Sequence, residues 1–160
     1  MMPVREMVDA WASMYSNSAA LRSALGFAHV GGLVAGGGCA IGADLGALRA
    51  LAHGPDAARA ELHRVHLVHR VVLTGLAIVT ASGLLLMLAD IDAYLQSTAF
   101  WIKMALVVGL TLNGAALLSV TRRAERGDLV AIARVKFVSV MSLVLWLATT
   151  LMGAVLPNAL

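Results

Sequence analysis

The sequence is short of charged residues. Asp, Glu, Lys and Arg make up 13% of its 160 residues, about half of the ~25% that is typical of a soluble domain. Aromatic residues are also sparse, at 5%, and Cys39 is the only cysteine. The composition therefore argues against a soluble globular domain, and a single cysteine excludes an internal disulfide.

The chain is rich in long apolar stretches. It is 60% hydrophobic, with a mean hydropathy of +0.85. Four apolar stretches each exceed the ~20 residues that a helix needs to cross a bilayer core. They are Leu25–Leu48, Val65–Ala89, Phe100–Val120 and Val135–Leu156. The sequence thus predicts an all-α polytopic membrane protein, an antiparallel four-transmembrane-helix bundle occupying residues 21–160 as one domain.

The loops between the spans predict the orientation in the membrane. The second loop, 90–99, has two aspartates and no Lys or Arg, whereas the first and third loops are basic. Their basic residues are Arg49, Arg59, Arg64, Arg122, Arg123, Arg126, Arg134 and Lys136. Positive charge is retained inside, so we expect a bacterial inner (cytoplasmic) membrane protein with both termini outside. Because topology explains the basic residues, the sequence pI near 9.6 does not indicate nucleic-acid binding.

The first 20 residues form a separate amphipathic segment. Met7, Trp11, Met14 and Tyr15 recur at spacings of three and four, so they share one side of a predicted helix over Val4–Tyr15. Such a helix is typical of a segment lying in the membrane interface. Acidic residues near the start and the lack of a cleavage pattern argue against a signal peptide.

Polar residues within the spans are costly and usually mark function. Successive spans run in opposite directions and rise by the same ~1.5 Å per residue. Two residues at the same depth in the first and second spans therefore have residue numbers that add up to about 113. This arithmetic predicts an outer layer with His29 and Lys103. It also predicts an inner layer with Asp44, His66, His69 and Arg70. We expect Asp44 to form a structural ion pair with Arg70, or to bond to His69, because an unpaired carboxylate there would be expensive.

Histidines are the candidate metal ligands. His63, His66 and His69 advance by three residues, so adjacent members could chelate one ion, while a third from the same helix would fit poorly. His63 lies at the water boundary and is interpreted as a loop residue. His29, about a turn and a half inside the first span, has the position of a haem-iron ligand. A purely structural role for either layer remains the alternative.

Small residues mark a packing face on the first span. Gly32 and Gly36 form a small-xxx-small pair, which allows either a helix or a flat cofactor to approach the backbone closely. Helix packing and cofactor binding both stay open at this point.

The order of these features resembles an uncharacterised family of bacterial four-helix membrane proteins, a domain of unknown function, over about residues 20–156. The matching features are His29, Asp44-Leu45, Ser82-Gly83-Leu84-Leu85-Leu86, Ala99-Phe100-Trp101-Ile102-Lys103-Met104, Asn113-Gly114, Ser142-Leu143-Val144-Leu145-Trp146 and Gly153. The family pattern continues Asp-Leu-Arg, where this chain has Gly46, so Arg49 is the candidate substitute.

A more distant similarity links the chain to HemJ-type protoporphyrinogen oxidases and to the copper-resistance D membrane domain. His29 and Trp101-x-Lys103 match the first-span histidine and the third-span opening of HemJ-type proteins. The resemblance implies a b-type haem, with His29 on the iron and Lys103 near a propionate. It does not carry over the oxidase activity, and the scattered methionines do not form a Cu(I) path.

Two hypotheses follow. The first is a b-type haem protein that passes electrons to a quinone or a redox partner. Its second axial position is open: the iron could be five-coordinate, take Met87 or Met152, or bridge two subunits, and an inner haem on His66 or His69 would make a transmembrane pair. The second is a cofactor-free accessory subunit or a small-solute or metal carrier. A homo-oligomer through the glycine face is compatible with both, and enzymatic activity is left open.

Overall fold

The structure, a computed structural model, is helical throughout the part of the chain that it describes. It describes residues 4–159, and side chains for all of these except 55–56, 58–60 and 62–67. The elements are α1 Val4–Asn17, α2 Ala19–Ala52, α3 Pro55–Leu88, α4 Ile91–Gln96, α5 Thr98–Glu125, α6 Leu129–Val155 and a 3₁₀ turn at Leu156–Asn158. The predicted all-α fold is confirmed.

Four of these helices, α2, α3, α5 and α6, are long and apolar enough to cross a membrane. The first and third predicted spans lie inside α2 and α5, and the second and fourth end one residue past α3 and α6, at Ala89 and Leu156. All four helices are longer than the predicted spans. At 34 residues, α2 measures roughly 50 Å and extends well past a ~30 Å hydrocarbon core. The helices begin where capping residues allow: the Ser18, Ser97 and Asp128 side chains accept hydrogen bonds from the first turns of α2, α5 and α6.

The long helices form two closely packed antiparallel pairs, α2 with α3 and α5 with α6. Packing of α2 on α6 joins the pairs, whereas α3 and α5 touch at only a few positions. The bundle is therefore tight on three sides and loosely packed along the α3–α5 side.

Glycines make the α2–α3 contact possible. Gly32 and Gly36 of α2 face Gly75 of α3. A Cβ added to Gly75 would lie 2.6 Å from the Gly36 Cα, which is closer than any side chain permits. Of the two interpretations of the Gly32–Gly36 pair, the structure supports helix packing. The close backbone approach leaves no room for a flat cofactor between α2 and α3 at Gly36.

Burial is reversed relative to a soluble protein. Large apolar side chains point outward, including Phe27 at 80% and Leu112 at 66% exposure, while Thr121 and Ser139 are fully buried. Outward apolar residues suit lipid contact, and small hydroxyl residues allow helices to approach closely. Asn113 adds a polar link between α5 and α6, donating from Nδ2 to the Val138 carbonyl at 3.1 Å.

Two short helices, α1 and α4, lie at the end of the bundle that the predicted topology places outside the cell. The predicted N-terminal helix is present as α1, and its Trp11 Nε1 donates to the Leu85 carbonyl at 2.9 Å. This carbonyl is in the last turn of α3, where helix carbonyls lack helical partners.

α4 was not predicted, since six residues are too few to show a periodic pattern. Burial raises the pKa of the Tyr94 phenol in α4, as do Tyr15 and Asp90, so the phenol stays neutral.

Candidate functional site: two cavities in the bundle

His29 is held in one orientation by α3. Its Nδ1 lies 3.0 Å from Ser82 Oγ. The Ser82 hydroxyl donates its own proton to backbone carbonyls, with the Ile78 oxygen at 2.6 Å. Because that proton is already used, Ser82 accepts from His29, and Nδ1 carries the hydrogen. In the neutral form of the imidazole this is the Nδ1–H tautomer, whose Nε2 keeps its lone pair, as a metal ligand requires.

Gly83 allows the imidazole to lie against the α3 backbone. A Cβ at this position would be 3.2 Å from His29 Cε1, tighter than ordinary contact. The residue numbers 29 and 83 add up to 112, close to the sum of about 113 expected for two residues at the same depth in the first and second spans. The adjacent residues Ser82 and Gly83 of α3 thus both contact the Nδ1–Cε1 edge of the histidine ring.

His29 and Lys103 line the same cavity, here called the outer cavity, of about 140 Å³. The Lys103 amine reaches across to α6, where a Cβ on Gly153 would lie 3.6 Å from Nζ. Among the described residues Lys103 has no hydrogen-bond or ion-pair partner. The remaining lining is mainly apolar and aromatic, and it includes Met87 and Met104. A half-buried amine with no counter-ion among the described residues therefore faces this cavity.

The donor set of the outer cavity fits haem, but its volume does not enclose one. The free Nε2 of His29 is a suitable iron ligand, the Met87 thioether lines the same space, and Lys103 suits a carboxylate. Cavities that surround a drug-sized ligand measure ~300–1,000 Å³, well above 140 Å³. Haem would therefore require the loosely packed α3–α5 side to widen. Met152, the other sequence-derived axial candidate, does not line the cavity.

Asp44 lies in a second cavity, here called the inner cavity, of about 280 Å³. The carboxylate is 2% exposed and faces the hydroxyls of Ser139 and Ser142 on α6. Nevertheless, Asp44 Oδ2 and Ser139 Oγ make no hydrogen bond of ordinary geometry. His69 lines the same cavity, so the predicted depth match between residues 44 and 69 agrees with the structure.

The structure does not form the predicted pair between Asp44 and Arg70. Arg70 is exposed and lines an open groove on the opposite face of α3, together with Phe27 and Thr74. The reason is rotational: residue 70 is one position past His69, about 100° around the helix, so it points away from the inner cavity. Depth alone had placed the two charges at one level without settling their directions.

The remaining predicted ligands are not assembled into a metal site within the described residues. No group of three or more His, Cys, Asp or Glu side chains there could hold a metal ion. His29 and His69 line different cavities, while the side chains of His63 and His66 lie outside the described residues. Gly32 and Gly36 line neither cavity.

An apolar barrier separates the two cavities. Leu76, Leu110 and Trp146 line both, so they stand between them. Trp146 is held there by α2, because a Cβ on Gly37 would lie 3.0 Å from its ring. The role of Trp146 and the Ser82 contact with His29 were not deduced from the sequence. Both residues fall inside the motifs that carried the family resemblance, which was the available signal.

No protein-family model, curated protein or solved structure matches this chain. The assignment of a function therefore rests on the two cavities.

Proposed function

We propose that this protein binds a b-type haem at the outer cavity, through His29, and takes part in membrane electron transfer. The observation that carries the proposal is the hydrogen bond that orients His29: Ser82 uses its proton on a backbone carbonyl and accepts from Nδ1. Haem ligation by histidine needs this arrangement, in which the second ring nitrogen is oriented by a hydrogen bond.

Lys103 supports the same proposal. An ammonium without a partner among the described residues, and facing an apolar cavity, is expensive unless an anion joins it. A haem propionate would supply that anion, and the Met87 thioether, which lines the same cavity, would be a further group able to hold the iron. When bound, haem supplies one-electron chemistry, while this chain supplies ligation, burial and charge.

The proposed location is the bacterial inner membrane, with both termini and the outer cavity on the non-cytoplasmic side. The support is the excess of Lys and Arg in the first and third loops. A quinone or a protein redox partner would then exchange electrons from that side. The open groove beside Gly31 and Phe27 is compatible with a homo-oligomer.

Replacement of the proposed ligand tests the function. We expect the wild-type protein, purified in detergent from haem-replete cells, to show a Soret band. His29→Ala should lose at least nine-tenths of it, since no other described histidine lines the outer cavity. His53→Ala is the matched control: His53 is exposed, and its ring bonds to the Arg49 carbonyl and does not line the outer cavity, so the band of this variant should be unchanged.

Lys103→Ala should keep the band but lose haem faster on dilution. Equal haem content in His29→Ala and wild type would contradict the His29 site and direct attention to His66 and His69. Wild-type protein without haem would contradict the proposed function.

A second candidate function, a cofactor-free small-solute carrier, is favoured by one observation. The inner cavity holds a carboxylate that has no counter-ion in the described part of the chain, and neither haem nor its ligands explain that group.

A further inference from the structure

The inner cavity contains a buried carboxylate that the haem proposal does not use. Among the described residues that line this cavity, Asp44 is the only acidic one, and its Oδ2 has no hydrogen-bond partner. No ion pair to Asp44 exists within the described residues. A carboxylate taken out of water is costly unless a positive partner joins it. The cavity is therefore complementary to a cation.

The walls of the cavity indicate which kind of cation. Besides Asp44, the polar lining residues are His69, Thr111 and Ser142, and the Thr111 hydroxyl is already bonded to the Val107 carbonyl. The remaining lining is made of Ala, Val, Leu, Gly and Trp side chains. A metal ion needs several oxygen or nitrogen ligands at once, and the described residues contain no group of three or more His, Cys, Asp or Glu side chains that could supply them. Apolar walls with one carboxylate instead suit an organic cation.

The volume of the inner cavity and the indole ring of Trp146 indicate which organic cation would fit. A dry cavity of roughly 150 Å³ accepts a benzene ring, so 280 Å³ leaves room for a ring and a short amine arm. Trp146, at the outer end of the inner cavity, provides an aromatic ring for a cation or a second ring. The amine hydrogens would find acceptors in the Asp44 carboxylate and the Ser142 hydroxyl.

We propose that the inner cavity is a binding site for an arylalkylammonium cation, with Asp44 as its counter-ion and Trp146 against its ring. The ligand enters from the loosely packed α3–α5 side, where Thr111 and Leu118 of α5 line the cavity opposite Leu73 of α3. This site is separate from the haem proposal, because the barrier of Leu76, Leu110 and Trp146 lies between the two cavities.

Benzylammonium and benzyl alcohol are the matched probes, since they share the ring and differ in charge. Calorimetric titration into wild-type protein in lipid nanodiscs should show one saturable site for benzylammonium and at least tenfold weaker binding of benzyl alcohol. Asp44→Asn should weaken benzylammonium at least tenfold and leave benzyl alcohol within twofold. The control variant Asp92→Asn removes a charge from an exposed residue in α4 and should bind both probes as wild type does.

The two-probe comparison on wild-type protein needs no variant, so it remains decisive even if Asp44→Asn fails to fold. Equal affinity for the two probes, or unchanged benzylammonium binding by a folded Asp44→Asn protein, would overturn the proposal. Displacement of benzylammonium by millimolar Na⁺ would also overturn it, by assigning the carboxylate to a metal cation. His29→Ala should bind benzylammonium normally, so loss of haem and loss of this site can be told apart.

Discussion

At the scale of single residues, the site depends on what surrounds each polar side chain. His29 and Lys103 were placed at one depth by counting along antiparallel spans, and the structure brings both to one cavity. The depth of a residue does not determine how its helix is rotated. For that reason the contact of His29 with Ser82, and the orientation of Arg70 away from Asp44, could not be predicted from the sequence. Hydrogen-bond direction and helix rotation needed the three-dimensional structure.

Ser82 is expected to act through His29. Ser82→Ala removes the acceptor of the Nδ1 hydrogen, so the imidazole loses its fixed tautomer and orientation. Removing such an orienting partner typically costs 10–100-fold in metal affinity, and we expect about tenfold weaker haem retention together with a shifted reduction potential. The measurement is haem loss to an apo-protein acceptor, followed by a redox titration.

Ser119→Ala is the control for Ser82→Ala. Ser119 is an exposed serine on α5 that also bonds to a backbone carbonyl of its own helix, that of Ala116, but it lies away from both cavities. If the two variants release haem at the same rate, the orienting role of Ser82 is refuted.

At the scale of helices, hydrophobic length was enough to predict the four long elements, and it was not enough to predict their ends. Helices extend beyond the apolar runs to caps such as Ser18 and Asp128, and α4 is too short to be recognised. The Gly32–Gly36 face was compatible with packing or with a cofactor. Only the location of Gly75 on α3, directly against Gly36, decides for packing.

Gly75→Ala should destabilise the α2–α3 pair. The new methyl group would lie 2.6 Å from Gly36 Cα and 2.8 Å from the Gly32 carbonyl oxygen, so the helices must separate. Overpacking of this kind costs about 1–3 kcal/mol, more than the gain in helix propensity from replacing glycine. Unfolding in mild detergent, followed by circular dichroism, should show a clearly lower midpoint.

The matched control is Gly38→Ala on α2. A Cβ there meets nothing within 4 Å, so the midpoint should stay the same or rise slightly. A Gly75→Ala protein as stable as Gly38→Ala would contradict the close contact between α2 and α3.

At the scale of the whole molecule, two tight helix pairs leave one loosely packed side, and both cavities lie along it. Sequence reasoning predicted two polar layers at different depths. It could not predict that α3 and α5 separate, since all four long helices are apolar around most of their surface and short loops permit several arrangements. It also could not predict the barrier, because Leu76, Leu110 and Trp146 come from three different helices.

The sides of the membrane assigned to the two cavities depend on the proposed topology. In this topology the bundle crosses the membrane with α4 outside and the α5–α6 loop inside. Single cysteines introduced in a Cys39→Ala background test it, with a membrane-impermeant maleimide applied to intact spheroplasts. Asp92→Cys in α4 should be labelled at once. Leu129→Cys, which replaces a residue 72% exposed at the start of α6, should be labelled only after lysis, because we propose a cytoplasmic location for the basic third loop. Labelling of Leu129→Cys in intact spheroplasts, with Asp92→Cys protected, would contradict the arrangement and reverse the sides assigned to the two cavities.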